Sequence, residues 1–363
     1  MRAMPLEDTD ILAVDPPRHA APGRSRGPSE RVAPRSVLIV GLGSIGRRHL
    51  KVLRDVLPRA AAVVLRRPGR DLDSEPGADI QLVYDVDAAL DIGVDAAIIA
   101  SPAHLHLETA LALADAGVHL LVEKPLSNKT DGVSDLLSLC RAKGTVLQVG
   151  YCLRFDPSLA AMKDAIDAGR IGRPLSLRAE VGQYLPDWRP GTDYREGVSA
   201  RAALGGGVLL ELSHEIDYAG WIAGEVVSVQ ALLDRVSDLD IDVEDLAELS
   251  LEFAGGMRGS LYLDFLQRSP VRTCKVIGTR GTVVWDGIAH EARLYDAGTG
   301  QWETVFPGGG ITVDGILAAQ SRHFIECVRG RSEPLVSGED GLRALKVVEA
   351  ARRSNARRER VVP

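Results

Sequence analysis

The stretch SVLIVGLGSIGRRHL, which runs from Ser36 to Leu50, places a short apolar run directly before three glycines. The apolar run predicts a strand covered on both faces, because such strands are continuously hydrophobic. The glycines have the spacing G-x-G-x-x-G, in which Gly41 allows a tight turn, Gly43 lets a diphosphate approach the backbone, and Gly46 lets a helix pack on the strand. Unpaired N–H groups at the start of that helix favour a bound phosphate. The stretch therefore predicts a dinucleotide-binding loop.

The surroundings of this loop strengthen the prediction, since a bare glycine spacing is common in ordinary turns. A helical run from Arg47 to Leu57 follows the loop, and a second apolar strand runs from Ala61 to Leu65. A strand, a glycine turn and a helix in this order are typical of a parallel sheet that binds a dinucleotide. The predicted coenzyme contacts in the loop are Gly41, Gly43, Ser44, Ile45 and Gly46.

The composition disfavours several classes of function. A length of 363 residues predicts two domains, and a hydrophobic content of 45% is ample for their cores. The formal net charge of -7 disfavours nucleic-acid binding and a polybasic membrane patch. The four cysteines form no C-x-x-C pair, and no apolar run reaches the ~20 residues of a membrane-spanning helix. We expect a soluble cytoplasmic protein with reduced cysteines and no metal site.

The order of strand and helix patterns predicts two α/β domains after an N-terminal extension. Residues 1–35 are rich in proline, arginine and alanine and show no sustained period, which predicts a disordered extension. Residues 36–150 alternate between strand and helix patterns, as in a dinucleotide-binding (Rossmann) domain with a parallel sheet. Residues 151–352 contain several successive strand patterns, the last ending at Ile277, which indicates a large, mainly antiparallel open sheet.

The end of the second strand bears on the choice of coenzyme. A carboxylate at this point usually binds the adenosine ribose, whereas arginine suits a 2′-phosphate. Arg66 and Arg67 follow the strand, which favours NADP(H) over NAD(H). Asp71 or Asp73 is the alternative, since either would supply a carboxylate to NAD.

Two later strands of the first domain deliver residues to the ligand crevice, which lies at the carboxyl ends of the strands. Ser101 and Pro102 follow one of them, and we expect them to border the nicotinamide ribose. Glu123 and Lys124 follow the next, where the lysine can reach the reacting atoms. His106 completes the predicted coenzyme contacts, and its spacing of two from the preceding histidine is poor for a shared metal ion.

A long polar loop between the first two strands of the second domain is a candidate substrate site, because such loops in compact domains are commonly functional. Its aromatic and arginine side chains suit stacking on, and hydrogen bonding to, a polyhydroxylated ring. A surface loop or a subunit contact explains any single one of them equally well. The predicted substrate contacts are Tyr184, Trp188 and Arg189 in the loop, with Arg154 from the start of the domain.

A triple glycine at residues 205–207 precedes VLLELSHEIDYAGWIAG, which predicts one helix from Val208 to Ile222. Glu211 lies three residues before His214 and four before Glu215, so a helix would place all three on one face. A lone histidine in such a helix is more often structural, but the glycines let the chain come close to a ligand here. Glu211, His214 and Glu215 are therefore predicted substrate contacts.

Four elements of the sequence, taken in order, resemble the glucose-fructose oxidoreductase/inositol dehydrogenase/MocA (Gfo/Idh/MocA) family. They are the G-L-G-S-I-G turn, the S-P after a later strand, the V-E-K-P of residues 122–125, and the V-G-Y-x-x-R-F-x-P that begins at Val149. The resemblance covers Ser36 to Arg352. It implies an NAD(P)-dependent sugar or cyclitol dehydrogenase with an N-terminal Rossmann domain, which forms a homodimer or homotetramer.

The resemblance also implies catalytic roles for Lys124 and His214. The usual form after the triple glycine in the family is G-G-G-x-x-x-D-x-x-x-H, whereas here Glu211 replaces the aspartate and the histidine comes one position early. Histidine, with an ordinary pKa near ~6.5, suits a general acid/base, and Lys124 would stabilise developing alkoxide charge. The opposite assignment, with Lys124 as the proton acceptor, stays open.

The sequence therefore predicts a dehydrogenase or reductase that interconverts a secondary alcohol and a ketone on a carbohydrate-like small molecule. The acidic residues Glu211, Glu215 and Asp217 favour an amino sugar or aminocyclitol. The arginine- and alanine-rich composition fits bacterial genomes in which such enzymes act in secondary metabolism, such as antibiotic biosynthesis. Two alternatives stay open: an epimerase, eliminase or glycosidase of the same family with a hidden redox cycle, and a non-catalytic dinucleotide sensor.

Overall fold

The first domain is a parallel sheet with helices between its strands. The computed structural model describes residues 32–69 and 80–363. The strands are β1 Ser36–Val40, β2 Ala61–Leu65, β3 Ile80–Val83, β4 Ala96–Ile99, β5 His119–Val122 and β6 Leu147–Val149, and the helices are α1 Ser44–Val56, α2 Val86–Ile92, α3 His106–Asp115 and α4 Val133–Lys143. The strand order β3-β2-β1-β4-β5-β6 places a ligand crevice at the carboxyl ends of β1 and β4, where the order reverses. The prediction of a Rossmann sheet is confirmed, whereas most of the predicted extension, Asp71 and Asp73 lie outside the described residues.

The second domain is built on a larger sheet of the order β14-β13-β12-β11-β7-β10-β9-β8. Its strands are β7 Pro174–Gly182, β8 Val226–Asp234, β9 Leu246–Phe253, β10 Arg258–Asp264, β11 Val271–Gly278, β12 Gly281–Asp286, β13 Glu291–Asp296 and β14 Gln301–Phe306. Strands β7 and β10 pair in parallel, and the other neighbours pair antiparallel. The predicted mainly antiparallel sheet is confirmed, and β12 to β14 extend it beyond the predicted strands.

Helices cover one face of this sheet and one of its edges. Helix α5 (Pro157–Asp167) packs on β12 to β14, and α7 (His214–Ala223) packs on β7 and β10. Helix α9 (Gly338–Arg357) runs along the edge strand β8. Its Ser354 and Asn355 accept hydrogen bonds from two backbone N–H groups of β8, so this edge is satisfied within the chain.

The prediction of one helix from Val208 to Ile222 is wrong. The segment forms α6 (Val208–Glu211) and α7, with a turn at Leu212 and Ser213 between them. The Ser213 hydroxyl donates to Leu210 O at 2.9 Å and accepts the Tyr151 hydroxyl at 3.3 Å. The N–H of Glu215 donates to Leu212 O at 3.4 Å, which is the i to i−3 bond of a tighter turn.

The last helices bring the chain back to the first domain. At the start of α8 (Val313–Val328), the carboxylate of Asp314 binds Arg48 and Lys51 of α1, at 2.8 and 2.7 Å. Between α8 and α9, the carbonyl of Val336 accepts the N–H of Val149 in β6 at 3.0 Å. The two domains are therefore held together by more than the connection near residue 150.

Three further observations concern the predicted class of protein. All four cysteines are free. No helix in residues 32–69 and 80–363 is both long and apolar enough to cross a bilayer. The same residues contain no group of three or more His, Cys, Asp or Glu side chains placed to hold a metal ion.

Candidate active site

The glycine loop after β1 leaves the start of α1 open. Gly41 has φ +88°, and a Cβ on Gly46 would lie 2.1 Å from the carbonyl oxygen of Gly41, so both positions require glycine. A Cβ on Gly43 would meet nothing within 4 Å. Gly43 is the N-cap of α1, no side chain caps the helix, and its first turn holds no acidic residue. The free N–H groups of this turn fit a diphosphate, as a dinucleotide would present.

The predicted adenosine contacts lie at the end of β2. Arg66 follows the last residue of the strand and is half-buried, and Arg67 is exposed. The Arg66 N–H donates to Val83 O at 3.1 Å, which fixes the backbone at the edge of the crevice. The preference for NADP(H), which is inferred from these two arginines, stays a prediction.

The imidazole of His106 is buried between two backbone carbonyl oxygens and does not face the crevice. Its Nδ1 lies 2.9 Å from Pro125 O and its Nε2 lies 2.7 Å from Ser101 O. The residue is 1% exposed, so the prediction that His106 contacts the coenzyme is wrong. Ser101 and Pro102 are half-buried and follow β4 as predicted, and the Lys124–Pro125 bond is cis.

Glu123 is also turned inward. Its Oε1 lies 2.7 Å from Nε2 of the fully buried His49, and its Oε2 accepts the backbone N–H of Lys124 at 3.1 Å. Burial alone would raise the pKa of Glu123, but the hydrogen bond and charge of His49, with Lys124, lower it below the ordinary value. Because the residue is 6% exposed and both oxygens are bound, the structure contradicts the prediction that Glu123 contacts the coenzyme.

The side chain of Lys124 reaches from the first domain to the second. Its Nζ donates to the backbone carbonyl oxygen of Glu211 at 2.8 Å. In an uninterrupted helix that oxygen would accept the N–H of Glu215, which here donates to Leu212 O instead. The turn between α6 and α7 therefore frees a carbonyl that holds the lysine.

His214, the first residue of α7, stands beside this contact. Its Nδ1 is buried and has no hydrogen-bond partner among the described residues, so Nε2 is the nitrogen left accessible. The ring packs edge-on against Tyr151, with 5.6 Å between ring centroids. Burial, and then the positive charges of Arg272 and Lys124, lower the pKa of His214 well below its ordinary 6.5. The imidazole is therefore neutral at pH 7.

The two predicted acidic substrate contacts differ. Glu215 is fully buried and bound to Arg272, with Nε 2.8 Å from Oε1, so the prediction that Glu215 contacts substrate is wrong. The Arg272 side chain is 23% exposed and is the group of this pair that remains accessible. Glu211 is half-buried and accepts a hydrogen bond from Ser199 at 3.0 Å. Glu211 stays a predicted substrate contact.

Arg154 has a structural role instead of the predicted substrate contact. Its Nε and Nη2 donate to the carboxylate of Asp217 at 3.0 and 2.6 Å, Nη2 also reaches Asp340, and Nη1 donates to Leu335 O. The side chain is 6% exposed. Each guanidinium nitrogen already has a protein acceptor, so Arg154 joins α7 to α9 inside the protein.

The remaining predicted substrate contacts lie on the loop after β7. The ring of Tyr184 is half-buried beneath Arg268, whose guanidinium carbon lies 3.5 Å from the ring centroid. Trp188 is half-buried and donates from Nε1 to Gln183 O at 3.0 Å, and Arg189 is exposed. Near its end the loop touches the first domain, where Nδ1 of His104 lies 3.3 Å from Leu204 O. The loop thus extends from the second sheet to the crevice.

Two contributors to the site were not found from the sequence, His49 and Arg272, whereas Ser199 lies in the polar loop predicted to be functional. The sequence did contain a signal for Arg272. Residues 272, 274 and 276 of β11 point to the same face of the sheet, and Cys274 and Val276 are buried, so Arg272 faces the covered side. A charged residue in that register requires either a buried partner or a ligand.

Two family models match the chain. The model described as "Oxidoreductase family, NAD-binding Rossmann fold" matches residues 35–151. The model described as "GFO/IDH/MocA C-terminal domain" matches residues 159–284. The two matched ranges contain the glycine loop, Lys124 and His214.

Named relatives are similar over most of the chain. The scyllo-inositol 2-dehydrogenase (NAD(+)) of Bacillus subtilis (strain 168) is 27% identical over 87% of this chain and 92% of its own. Inositol 2-dehydrogenase 1 of Saccharopolyspora erythraea is 31% identical over 68% of this chain and 72% of its own. A solved structure of levoglucosan dehydrogenase with NADH superposes with a TM-score of 0.81 at 23% identity, covering 90% of this chain and 98% of that one. The structural likeness shows the fold.

Two glycine substitutions separate folding from diphosphate binding at the loop. Gly46→Ala forces α1 away from Gly41, so we expect a loss of stability of about 1–3 kcal/mol together with loss of NADH binding. Gly43→Ala has room for its methyl group, so we expect stability within about 1 kcal/mol of wild type but NADH affinity at least ~10-fold weaker, because the methyl group covers the free N–H groups. Thermal unfolding and NADH fluorescence titration measure both. Unchanged NADH affinity of Gly43→Ala would exclude this loop as the diphosphate site.

Proposed function

The chain belongs to the Gfo/Idh/MocA family of oxidoreductases, and we propose that it interconverts a secondary alcohol and a ketone on a sugar or cyclitol ring, with NAD(P) as the hydride carrier. One observation carries the proposal. The ammonium of Lys124, from the first domain, is held on the carbonyl of Glu211, three residues before His214 of the second. A proton-transferring imidazole and a cationic donor thereby flank one place at the mouth of the crevice.

The protein's part in such a reaction is the movement of one proton. When bound, the nicotinamide supplies the hydride chemistry. His214, neutral at pH 7, accepts the hydroxyl proton of the alcohol at Nε2 during oxidation and returns it during reduction. Lys124 donates a hydrogen bond to the same oxygen, and its charge stabilises the developing alkoxide. Arg272 adds a second positive charge near His214.

The buried Nδ1 of His214 supports the opposite assignment of the proton. If Nε2 accepts a proton, Nδ1 must carry its own hydrogen, and that hydrogen has no acceptor among the described residues. An unpaired buried N–H costs free energy, so the tautomer with its hydrogen on Nε2 is favoured in the resting protein over the tautomer with its hydrogen on Nδ1. His214 would then donate to the substrate oxygen, and the amine of Lys124 would take the proton. The two assignments predict different effects of substitution at residue 214.

The charges in the site narrow the substrate class. Glu215 and Asp217, two of the three carboxylates predicted to favour an amine, are buried and paired with Arg272 and Arg154. Glu211 remains half-buried beside the end of Lys124. We propose that a neutral polyol ring is accepted, and that an amino sugar or aminocyclitol would place its amine at Glu211. A function in secondary metabolism and a cytoplasmic location stay predictions.

Turnover of ring alcohols with NAD and NADP tests the function. We expect absorbance of the reduced nicotinamide to accumulate with a cyclitol, an aminocyclitol or a sugar. Product without accumulation would indicate the hidden redox cycle, and coenzyme binding without product would indicate the sensor. Glu211→Gln should weaken any preference for an aminocyclitol over its parent cyclitol, because the carboxylate charge is lost.

Substitutions at Lys124 and His214 test the site in the same assay. Lys124→Ala and His214→Ala should each lower kcat by at least ~100-fold, the usual contribution of general acid–base groups, with NADH affinity retained. His214→Gln keeps a hydrogen-bond donor but removes the base. If His214 transfers the proton, its kcat should be as low as that of His214→Ala. If Lys124 transfers the proton, His214→Gln should recover much of the wild-type kcat. Lys143→Ala, at the end of α4, is the control. Near-normal kcat in both alanine variants at 124 and 214 would refute the site.

We propose that NADP is preferred, on the basis of Arg66 and Arg67 at the end of β2. Arg66→Asp should shift the ratio of kcat/KM values toward NAD by about 10-fold or more, since a charge-assisted contact to a 2′-phosphate is replaced by a ribose-binding carboxylate. Steady-state kinetics with both coenzymes measure the shift. Wild-type preference for NAD with no effect of Arg66→Asp would contradict this proposal and leave Asp71 or Asp73 as the ribose contact.

We also propose that the uncovered face of the second sheet binds a second copy of the chain. This face forms an open groove of about 820 Å³, lined by side chains such as Arg178, Glu180, Leu232 and Tyr262. Leu232 is 45% exposed on it. Light scattering should show a dimer or tetramer, and Leu232→Arg, which adds a charge to the contact, should shift the population toward monomer. A monomeric wild type at micromolar concentration would contradict the proposal.

A further inference from the structure

Two buried histidines hold the backbone on either side of Lys124. On the N-terminal side, His49 binds Oε1 of Glu123 at 2.7 Å, and Oε2 of that carboxylate accepts the N–H of Lys124 at 3.1 Å. On the C-terminal side, the carbonyl oxygen of Pro125 lies 2.9 Å from Nδ1 of His106. His49 is fully buried and His106 is 1% exposed. Neither ring can touch a ligand in the crevice, so each acts on the lysine only through its neighbours.

Both histidines lie between the lysine and the predicted coenzyme-binding loops. His49 lies on α1, whose first turn carries the free N–H groups after Gly43. The other nitrogen of His106, Nε2, lies 2.7 Å from the carbonyl oxygen of Ser101, in the turn after β4. The lysine is therefore connected to the start of α1 through His49, whereas the neutral ring of His106 carries one N–H and can donate it to the carbonyl of Pro125 or to that of Ser101.

The carboxylate between His49 and Lys124 has little freedom to move. A Cβ on Gly150 would lie 2.9 to 3.0 Å from the Cα, Cδ and Oε2 atoms of Glu123, so the side chain is packed against the end of β6. His49 also leaves its Nδ1 buried without a hydrogen-bond partner among the described residues. Two apolar side chains in place of the His49–Glu123 pair would avoid that penalty, since replacing a buried polar pair by apolar groups is often neutral or stabilising, whereas an apolar residue at position 49 alone would leave Oε1 of Glu123 without a partner. Packing alone therefore does not account for a histidine at this position.

We propose that His49, acting through Glu123, is a positioning residue that sets Lys124 against Glu211 and links its position to the start of α1. The proposal rests on the proposed function for its effect on turnover, but the placement of the lysine is measurable without turnover. In this arrangement His49 fixes the backbone from which the Lys124 side chain extends, and the Glu211 carbonyl receives its end.

The test compares His49→Leu, which removes the donor, with His49→Gln, which keeps one. Acylation of Lys124 in the coenzyme-free protein, followed by mass spectrometry, reports whether its ammonium is still held. We expect the labelling rate to rise at least ~3-fold in His49→Leu and to stay near wild type in His49→Gln. In turnover, His49→Leu should lower kcat by about 10- to 100-fold with little change in KM or NADH affinity, because a catalytic group is misplaced rather than removed. His119→Leu is the matched control: its Nδ1 accepts the N–H of Val146 at the opposite end of β5, so both readouts should be unaffected.

A double substitution separates positioning from general damage. In a Lys124→Ala background, His49→Leu should cause no further loss of residual turnover, whereas independent structural damage would multiply the losses. Unchanged labelling in His49→Leu, multiplied losses, or an equal fall in NADH affinity would each overturn the proposal. Faster labelling in a protein that turns over no ring alcohol would support the positioning role and refute the proposed function. If His49→Leu does not fold, Glu123→Gln, which keeps one acceptor oxygen instead of two, carries the same labelling comparison.

Discussion

The carbonyl oxygen of Glu211 is the point on which the geometry of the site depends. A helix normally uses each interior carbonyl for its own N–H four residues on, so such an oxygen is not available to a side chain. Here the turn between α6 and α7 withdraws that N–H, and the freed oxygen accepts the ammonium of Lys124 instead. One hydrogen bond therefore joins the end of β5 in the first domain to the end of α6 in the second. Any shift of one domain against the other changes the relation of Lys124 to His214.

The buried carboxylates around this point are paired with other side chains, which leaves the positive charge of Lys124 in contact with a neutral group. A buried charge without a partner costs several kcal/mol, and the site meets this cost by pairing. Glu215 is paired with Arg272, Asp217 with Arg154, and the carboxylate of Glu123 with His49. The ammonium of Lys124 instead contacts a neutral carbonyl, so no carboxylate in that contact cancels its charge. Burial first, and then the charges of Arg272 and Lys124, keep the imidazolium form of His214 unfavourable, and the two charges favour negative charge on a nearby oxygen.

The sequence predicted features that follow from local pattern and missed those that tertiary contacts decide. The apolar run before Gly41, the alternation of strands and helices in the first domain and the antiparallel character of the second sheet follow from periodicity. The break at Ser213 does not, because VLLELSHEIDYAGWIAG has good helical spacing throughout, and the hydroxyl of Tyr151, distant in sequence, binds at the turn. Arg154 illustrates the same limit: an arginine after a strand looks like a ligand contact until Asp217 and Asp340 are placed beside it.

The break also explains how a histidine one position early can still serve the site. In the usual family spacing, aspartate and histidine are four residues apart, which places them nearly in line on an α-helix of 3.6 residues per turn. Here Glu211 and His214 are three apart, and a continuous α-helix would rotate the histidine away from that line. The chain between them is not a continuous helix: Leu212, with φ −103° and ψ +26°, lies outside helical backbone values, so the spacing of α6 does not set the position of His214. The same break frees the Glu211 carbonyl, so one interruption of the helix both resets the position of His214 and provides the acceptor for Lys124.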